Sequence, residues 1–435
     1  MRILINQLKE KVGEKVKIAG WVNTVRDQKK IKFILVRDIT GIIQAVAFGN
    51  EKLMKLIESL SLESVVEIEG IVKAEKQAPG GIEIGVENIK VLSEAAPELP
   101  IPVVEKTAGE TEMQKRMDWR WLDLRKPEKQ LVFKVWTAME QAFRKYCVGN
   151  NYIEIHSPKL MSSPSESGAE LFEVKYFDRK AYLAQSPQFY KQMAMASGFE
   201  KVFEVGPIFR ANPSFTSRHD TEFTGYDIEI SFVESHFDVM NEEERFIVEM
   251  MKSVREKYGQ EIKDIYGVEI IVPETPFPRV TMKEAKEILK KLKVPSESEG
   301  DLMPEEEREL SGYIKDKENH EFVFITDYPK TVRPFYHMRY EENPGITKSF
   351  DLLFKGLEIT TGAQREHRYN VLLEQAKEKK LKPESINFYL NFFKYGCPPH
   401  GGLGFGPTRF LMQLLNISNV REVTYLYRGV KRLEP

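Results

Sequence analysis

Between Val16 and Leu92 the chain runs through short β-rich segments, VKIAGWV, KFILVRD, IIQAVAF, VVEIEGIV and GIEIGVENIKVL, parted by Gly, Asp, Asn and Pro. Apolar and polar residues alternate there, the period of a strand buried on one face, and the interruptions are turn formers. Five such segments in so short a span predict a small closed barrel of the OB type, a scaffold that often offers one face to single-stranded nucleic acid. SEAAPELPIPVVEK, from Ser93 to Lys106, has no period and is rich in proline, so it reads as a linker. The period then changes. Leu131, Val135, Met139, Ala142, Phe143 and Tyr146 recur near helical spacing, and GNN ends that helix ahead of the extended YIEIHSP. Further strands are expected near Tyr182, Val202, Phe223, Phe322 and Phe350. They lack the βαβ rhythm of a doubly wound fold, so an antiparallel sheet flanked by helices is the expectation. The charged piece from Ser296 to Asn319, with PSESEG and PEEEREL, reads as part of a solvated helical insertion around residues 283–320, to which no chemistry is assigned. The chain is therefore expected to be α+β, with a barrel over residues 1–92, a linker or hinge over 93–130 and a larger domain over 131–435.

Composition narrows the class more than it names a partner. The 435 residues, 41% hydrophobic and 30% charged, contain no apolar run near the ~18 residues of a membrane span. The N-terminus lacks the apolar stretch and cleavage site of an export signal, so a cytoplasmic address is expected. Cys147 and Cys397 stand far apart without a CxxC or HxxxH neighbour, which leaves no thiol-based metal site to propose and a structural role for both as the expectation. A net charge of −2 means that any nucleic-acid surface is a local patch.

Three constellations carry candidate chemistry. In KVFEVGPIFR, alternation puts Glu204 and Arg210 on one face, and in FTGYDIEISF it puts Phe223, Asp227 and Glu229 on one face. The loop between them adds Arg218 and His219. Arginine forks and an exposed ring suit a nucleoside triphosphate, although a salt-bridged hairpin has the same pattern. FDLLFKGLEITTGAQREHRY predicts a hairpin turning at Lys355 and Gly356, pairing Leu353 with Glu358 and Asp351 with Thr360. Asp351 and Glu358 then lie diagonally, at a spacing that Mg²⁺ could bridge, unless Arg365 or Arg368 neutralises them. Finally, Gly404, Gly406 and Arg409 form a GxGxxR before an apolar helix, a pattern compatible with phosphate approach or with plain close packing.

Together these segments, with the helix and strand ending at Pro158, resemble the three signature motifs of class II aminoacyl-tRNA synthetases. LAQSPQFYKQ, RHDTEF, ITTGAQREHR and the ending KRLEP are similar to aspartyl-tRNA synthetases of the compact archaeal type. The resemblance implies that Lys191 and Arg365 hold the side-chain carboxylate of L-aspartate, with Glu166, Gln188 and Asp227 around its ammonium group. It implies ATP bent across the sheet: Arg210 on the α-phosphate, Arg218 and His219 toward the γ-phosphate, adenine between Phe223 and Arg409, and Asn212, Glu358 and Gly406 at the same site. Asn212 departs from the family, which carries a glutamate there. Mg²⁺ is expected on Asp351, Glu358 and Thr361, whereas the hairpin pairing above puts Thr360 on the acidic face. Arg210 and Arg409 are the expected catalytic residues.

In the barrel, the resemblance matches Phe33 and Gln44 to positions that stack on and read the central anticodon base of tRNA, with Arg26 and Glu83 nearby and a core role the alternative for Phe33. Pro79 and Asn23 stand where selective enzymes of this type carry lysine and tryptophan. The resemblance thus implies charging of tRNA(Asp) and of tRNA(Asn), the latter then amidated by an amidotransferase, and a homodimer built on the first motif. An asparaginyl enzyme, an asparagine synthetase and a non-catalytic nucleic-acid-binding relative are the competing readings. Lys191 weighs against asparagine, the barrel against the asparagine synthetase, and the joint presence of Arg210, Asp351, Glu358 and Arg409 against a non-catalytic role.

Overall fold

The structure, a computed structural model, describes residues 1–28, 30–104, 109–163, 170–213 and 216–435. The chain divides into two compact units, Met1–Pro127 and Glu128–Pro435. Glu166 lies outside the described residues.

In the first unit, β1 (Lys15–Gln28), β2 (Ile31–Asp38), β3 (Gly41–Phe48), β4 (Val65–Ala74) and β5 (Ile82–Ser93) close a barrel in the order β1-β2-β3-β5-β4, with α1 (Glu51–Ser59) between β3 and β4. Alternate residues such as Val16, Ile18, Ile34, Val36, Ile68 and Ile84 fill it. Residues 93–104 are not a free tether: Ile101 and Val103 are buried against Leu122, just after α2 (Met113–Asp118) and within α3 (Arg120–Asp123). Proline supplied the signal for a linker, but apolar residues two apart still found a partner.

The second unit opens with α4 (Pro127–Gly149), whose Leu131, Val135, Met139 and Phe143 enter the core. After it come β6 (Ile153–Glu154) and a small sheet of β7 (Leu160–Met161), β8 (Glu173–Tyr176) and β9 (Arg179–Leu183). Next are α5 (Gln188–Ala196), β10 (Lys201–Phe209), β11 (Glu222–Ser231), the long α6 (His236–Tyr266), β12 (Arg279–Thr281), α7 (Met282–Lys291), α8 (Pro304–Glu318) and β13 (Phe322–Thr326). The chain ends with β14 (Ser349–Phe354), β15 (Leu357–Arg365), α9 (Tyr369–Glu378), α10 (Asn387–Leu390), β16 (His400–Phe405), α11 (Pro407–Leu414) and α12 (Val420–Val423). The main sheet runs β12-β13-β14-β15-β16-β11-β10-β6. It is antiparallel from β13 to β10 and parallel at each edge, where β12 joins β13 and β6 joins β10, so it is mixed rather than wholly antiparallel.

Two local features set the site. Lys355 and Gly356 take positive φ, 48° and 79°, as a two-residue hairpin turn needs, and the Gly356 position would put a Cβ 2.8 Å from the Arg308 Cα of α8. Beyond that turn Leu353 pairs with Glu358, but Leu352 pairs with Thr360 and Asp351 with Thr361. The expected pairing of Asp351 with Thr360 is thus corrected: Ile359 is an extra residue, a β-bulge, and every partner beyond it moves by one.

The insertion is also corrected. α8 is not a solvated helix: Leu310 and Ile314 pack with Val323, Ile325 and Leu353, and Glu306 and Glu307 are buried. Their charges are met by Lys286, 2.7 Å from Glu306, and by Arg218, 3.1 Å from Glu307.

Candidate functional site

A cavity of about 330 Å³ lies over the sheet of the second unit. β10 and β11 pair so that Ile208 meets Phe223 and Glu204 meets Asp227. With Arg210 next after β10, period-two geometry turns Arg210, Phe223 and Asp227 to the same side, and all three line the cavity. The Arg210 guanidinium lies 5.6 Å from the centre of the Phe223 ring. Gln188, Asn212, Arg218, His219, Glu358, Thr361, Gly406 and Arg409 line the same cavity.

At one end sits a buried quartet. Lys191 Nζ donates to Asp227 Oδ1 at 2.9 Å and lies 3.4 Å from Glu229 Oε2, while Arg365 Nε donates to Glu229 Oε1 at 3.0 Å. Burial alone would raise the Glu229 carboxyl, but Arg365 and Lys191 outweigh it and hold it below its ordinary range. Glu229 was legible as a face-mate of Asp227, yet its hold on both cations was not. Two charges of each sign leave the quartet formally neutral, so the two cations are not waiting unpaired for a carboxylate. Beside it, His337 Nε2 accepts from Arg365 Nη1 at 3.0 Å, and burial, reinforced by Arg365, pushes this imidazole well below its ordinary range.

The glycine motif explains why two acids fit in that floor. Glu229 and Asp227 of β11 pair with Gly402 and Gly404 of β16. A Cβ at Gly402 would stand 2.0 Å from Glu229 Oε2, and one at Gly404 3.4 Å from Asp227 Oδ1. Gly406 donates its N–H to the bulged Ile359 carbonyl at 2.7 Å, so that N–H is already engaged. Glycine at every second position of HGGLGFG was the available signal for acidic side chains lying across a strand.

At the other end three arginines converge. His219 is pushed down to about 4, by burial and then by Arg409, Arg218 and Arg210. Arg409 Nη1 donates to the Glu358 carbonyl at 3.0 Å. Asp220, on the same wall, is pushed up to about 7 by burial, against a hydrogen bond from Thr424 Oγ1 and the charges of Arg421 and Arg409.

The acidic hairpin fits an oxygen-loving cation in part. The bulge places Asp351 opposite Thr361, whose hydroxyl lies 3.5 Å from Glu358 Oε1. Burial, then Asp351, raises the Glu358 carboxyl, and Asp351 Oδ1 is buried without a hydrogen-bond partner among the described residues. Two carboxylates and a hydroxyl suit Mg²⁺ when phosphate oxygens and water complete its shell. Among the described residues no group of three or more His, Cys, Asp or Glu could hold a metal. Arg333, which the sequence reading missed, sits 2.5 Å from Asp351 Oδ2 and stacks 3.6 Å from the Tyr328 ring centre.

In the barrel, Arg26 pairs with Phe33, Phe33 with Val46, and Gln44 with both Leu35 and Glu83, which gathers Arg26, Phe33, Gln44 and Glu83 on one patch. Phe33 is half-buried, and Gln44 Nε2 donates to Glu83 Oε2 at 3.0 Å. Pro79 is exposed at the start of a short turn before β5. Asn23 is the extra residue of a second bulge, between Val22 and Thr24, and its Oδ1 accepts from the buried Arg37 at 2.8 Å.

A closed OB barrel followed by this sheet and cavity defines a class II aminoacyl-tRNA synthetase. Residues 112–428 match the family of class II tRNA synthetases (D, K and N), and residues 16–92 match the OB-fold nucleic acid binding domain. The aspartate–tRNA(Asp/Asn) ligase of Aeropyrum pernix is 44% identical over 98% of this chain and 96% of its own. The aspartate–tRNA(Asp) ligase of Pyrococcus furiosus is 44% identical over 99% of this chain and 98% of its own. Among solved structures, an asparaginyl-tRNA synthetase from Pyrococcus horikoshii complexed with asparaginyl-adenylate superposes with a TM-score of 0.92 at 33% identity, covering 100% of both chains. The chain belongs to the aspartate–tRNA ligase family. No helix among its described residues is long and apolar enough to cross a membrane.

Proposed function

We propose that the enzyme activates L-aspartate with ATP to aspartyl-adenylate and pyrophosphate, and transfers the aspartyl group to tRNA(Asp) and also to tRNA(Asn). One observation carries this reading. A single cavity runs from the Lys191–Asp227–Glu229–Arg365 quartet to Arg210, Arg218 and Arg409, joining an amino-acid end to a phosphate end. Aspartate enters the quartet by exchanging partners: its side-chain carboxylate takes Lys191 and Arg365, and its ammonium group takes Asp227, with Gln188 alongside. Charge pairing is then preserved in a site too buried to tolerate a lone ion.

Arg210 holds the α-phosphate, Arg218 and His219 face the terminal phosphates, and adenine lies between Phe223 and Arg409. The aspartate α-carboxylate oxygen attacks the α-phosphorus in line, and the bond to pyrophosphate breaks. A terminal ribose hydroxyl of tRNA then attacks the acyl carbon, releasing AMP. No protein nucleophile is needed, because positioning and fixed positive charge carry the reaction. Asp351, Glu358 and Thr361 would hold Mg²⁺, which supplies charge neutralisation to the phosphates.

The barrel patch of Arg26, Phe33, Gln44 and Glu83 meets the anticodon. Pro79 offers no cation, and Asn23, turned to Arg37, offers no wedge, so the third anticodon base is read loosely. An amidotransferase completes the tRNA(Asn) route in the cytoplasm. A homodimer is part of the same reading: β6 is an edge strand with exposed Ile153, and Val148 and Phe232 are exposed as well. Sedimentation showing an active monomer would remove it.

Asparagine specificity is the second reading, favoured by the neutral quartet and the fold match to an asparaginyl enzyme. Amino-acid-dependent ATP–pyrophosphate exchange decides. Aspartate is expected to support exchange and asparagine not, and equal exchange with asparagine overturns the assignment. Arg210→Ala and Arg409→Ala are each expected to abolish exchange with unchanged far-UV circular dichroism.

A further inference from the structure

We propose that Glu307, in the first turn of α8, is a positioning residue that holds Arg218 ready for the terminal phosphates of ATP. The inference rests on the reading of Arg218 as a phosphate ligand. Arg218 Nη1 donates to Glu307 Oε2 at 3.1 Å, across 89 residues of sequence. The two partners differ in how firmly they are built. Arg218 belongs to the irregular segment between β10 and β11, where, among the described residues, its own N–H makes only a long, 3.4 Å hydrogen bond to Thr216 Oγ1. Glu307 belongs to a helix anchored on three sides. Its Leu310 and Ile314 are buried against β13 and β14 residues. Glu306 receives Lys286 at 2.7 Å and the Met303 N–H at 2.8 Å. Gly356, where a Cβ would meet the Arg308 Cα at 2.8 Å, brings the hairpin turn against the same helix.

A carboxylate at this place is costly unless it has a use. Glu307 is buried, and the charges of Glu358, Arg218 and Arg409 all act on its carboxylate. A helix that served only to cover the sheet would bury an apolar residue there at less cost. What the carboxylate supplies is orientation. Guanidinium carries five N–H donors in a rigid fork, so one spent on Glu307 fixes the plane while the others remain for phosphate oxygens. Fixing a long loop side chain before the substrate arrives removes ordering cost from binding.

The test is the ATP dependence of pyrophosphate exchange at saturating aspartate. Glu307→Gln keeps the shape and removes the charge. It is expected to raise KM for ATP roughly tenfold, the scale of a charged hydrogen bond, with kcat and KM for aspartate little changed. In an Arg218→Ala background, itself raised in KM for ATP, Glu307→Gln is expected to add nothing. If Arg218→Ala raises KM for ATP but Glu307→Gln does not, or if the two effects add in full, the positioning role is overturned while the phosphate reading stands. If Arg218→Ala leaves KM for ATP unchanged, both fall. Equal losses in kcat and in both KM values mark a merely structural residue and also overturn it.

Discussion

Asp351 stands directly across its hairpin from Thr361, because Ile359 is inserted between the pairs Leu353–Glu358 and Leu352–Thr360. Were the ladder regular, with Ile359 paired to Leu352, Thr360 would face Asp351 instead. As built, Thr360 pairs with Leu352, and its hydroxyl lies beside the Glu243 carboxyl of α6, which burial raises well above its ordinary range. Thr361→Val should therefore lower kcat/KM for exchange by about tenfold or more and raise the Mg²⁺ concentration required, and Thr361→Ser should restore most of it. Thr360→Val should stay within about threefold of the parent, as a change outside the reacting groups does. The reverse ranking in a Mg²⁺ titration would contradict the register.

His219 supplies a proton signal for ATP binding. Burial and then Arg409, Arg218 and Arg210 hold it at about 4 in the free enzyme. A triphosphate that neutralises those arginines raises it toward its ordinary value, so binding takes up protons and strengthens as pH falls between about 6.5 and 4. Calorimetry at pH 5.5 in buffers of different ionisation heat should show more proton uptake in the parent than in His219→Gln. Equal uptake in the two would place the phosphates elsewhere.

Asp220 bears on stability with the opposite sign from most carboxylates. Burial lifts it to about 7, so the folded protein favours its protonated form. Its contribution is fully present below pH about 4 and is lost as pH rises through 7, at about 1.4 kcal/mol per pH unit while the shift lasts. Asp220→Asn keeps an oxygen for Thr424 and removes the charge. Its Tm is expected to exceed that of the parent at pH 8.5 and to lose that advantage toward pH 5. A constant difference across this range would show that Asp220 does not titrate there.

Loose reading of the third anticodon base predicts comparable aspartylation of tRNA(Asp) and tRNA(Asn) transcripts. A preference for tRNA(Asp) beyond about a hundredfold, ~2.7 kcal/mol, would rule it out. Pro79→Lys should restore part of the preference, seen as a slower rate with tRNA(Asn) alone.

Local periodicity determined much of this protein by itself. A strand presents alternate residues to one face whatever surrounds it, so Arg210, Phe223, Asp227 and Glu229 could be grouped before any fold was known, and the five barrel strands could be counted. The turn at Lys355 and Gly356 was legible for a similar reason, since it belongs to two adjacent residues. Only the tertiary structure decided the rest. One extra residue at Ile359 leaves no mark in composition, yet it exchanges Thr360 for Thr361 opposite Asp351. The acids of α8 looked solvated because a charge is read as exposed until its partner is known, and Arg218 and Lys286 lie 89 and 20 residues from theirs. Arg333 went unread beside Asp351 for the same reason, as did the sharing of Glu229 between Lys191 and Arg365. Side-chain direction follows from the local backbone, whereas burial of a charge follows from which distant charge the fold brings beside it.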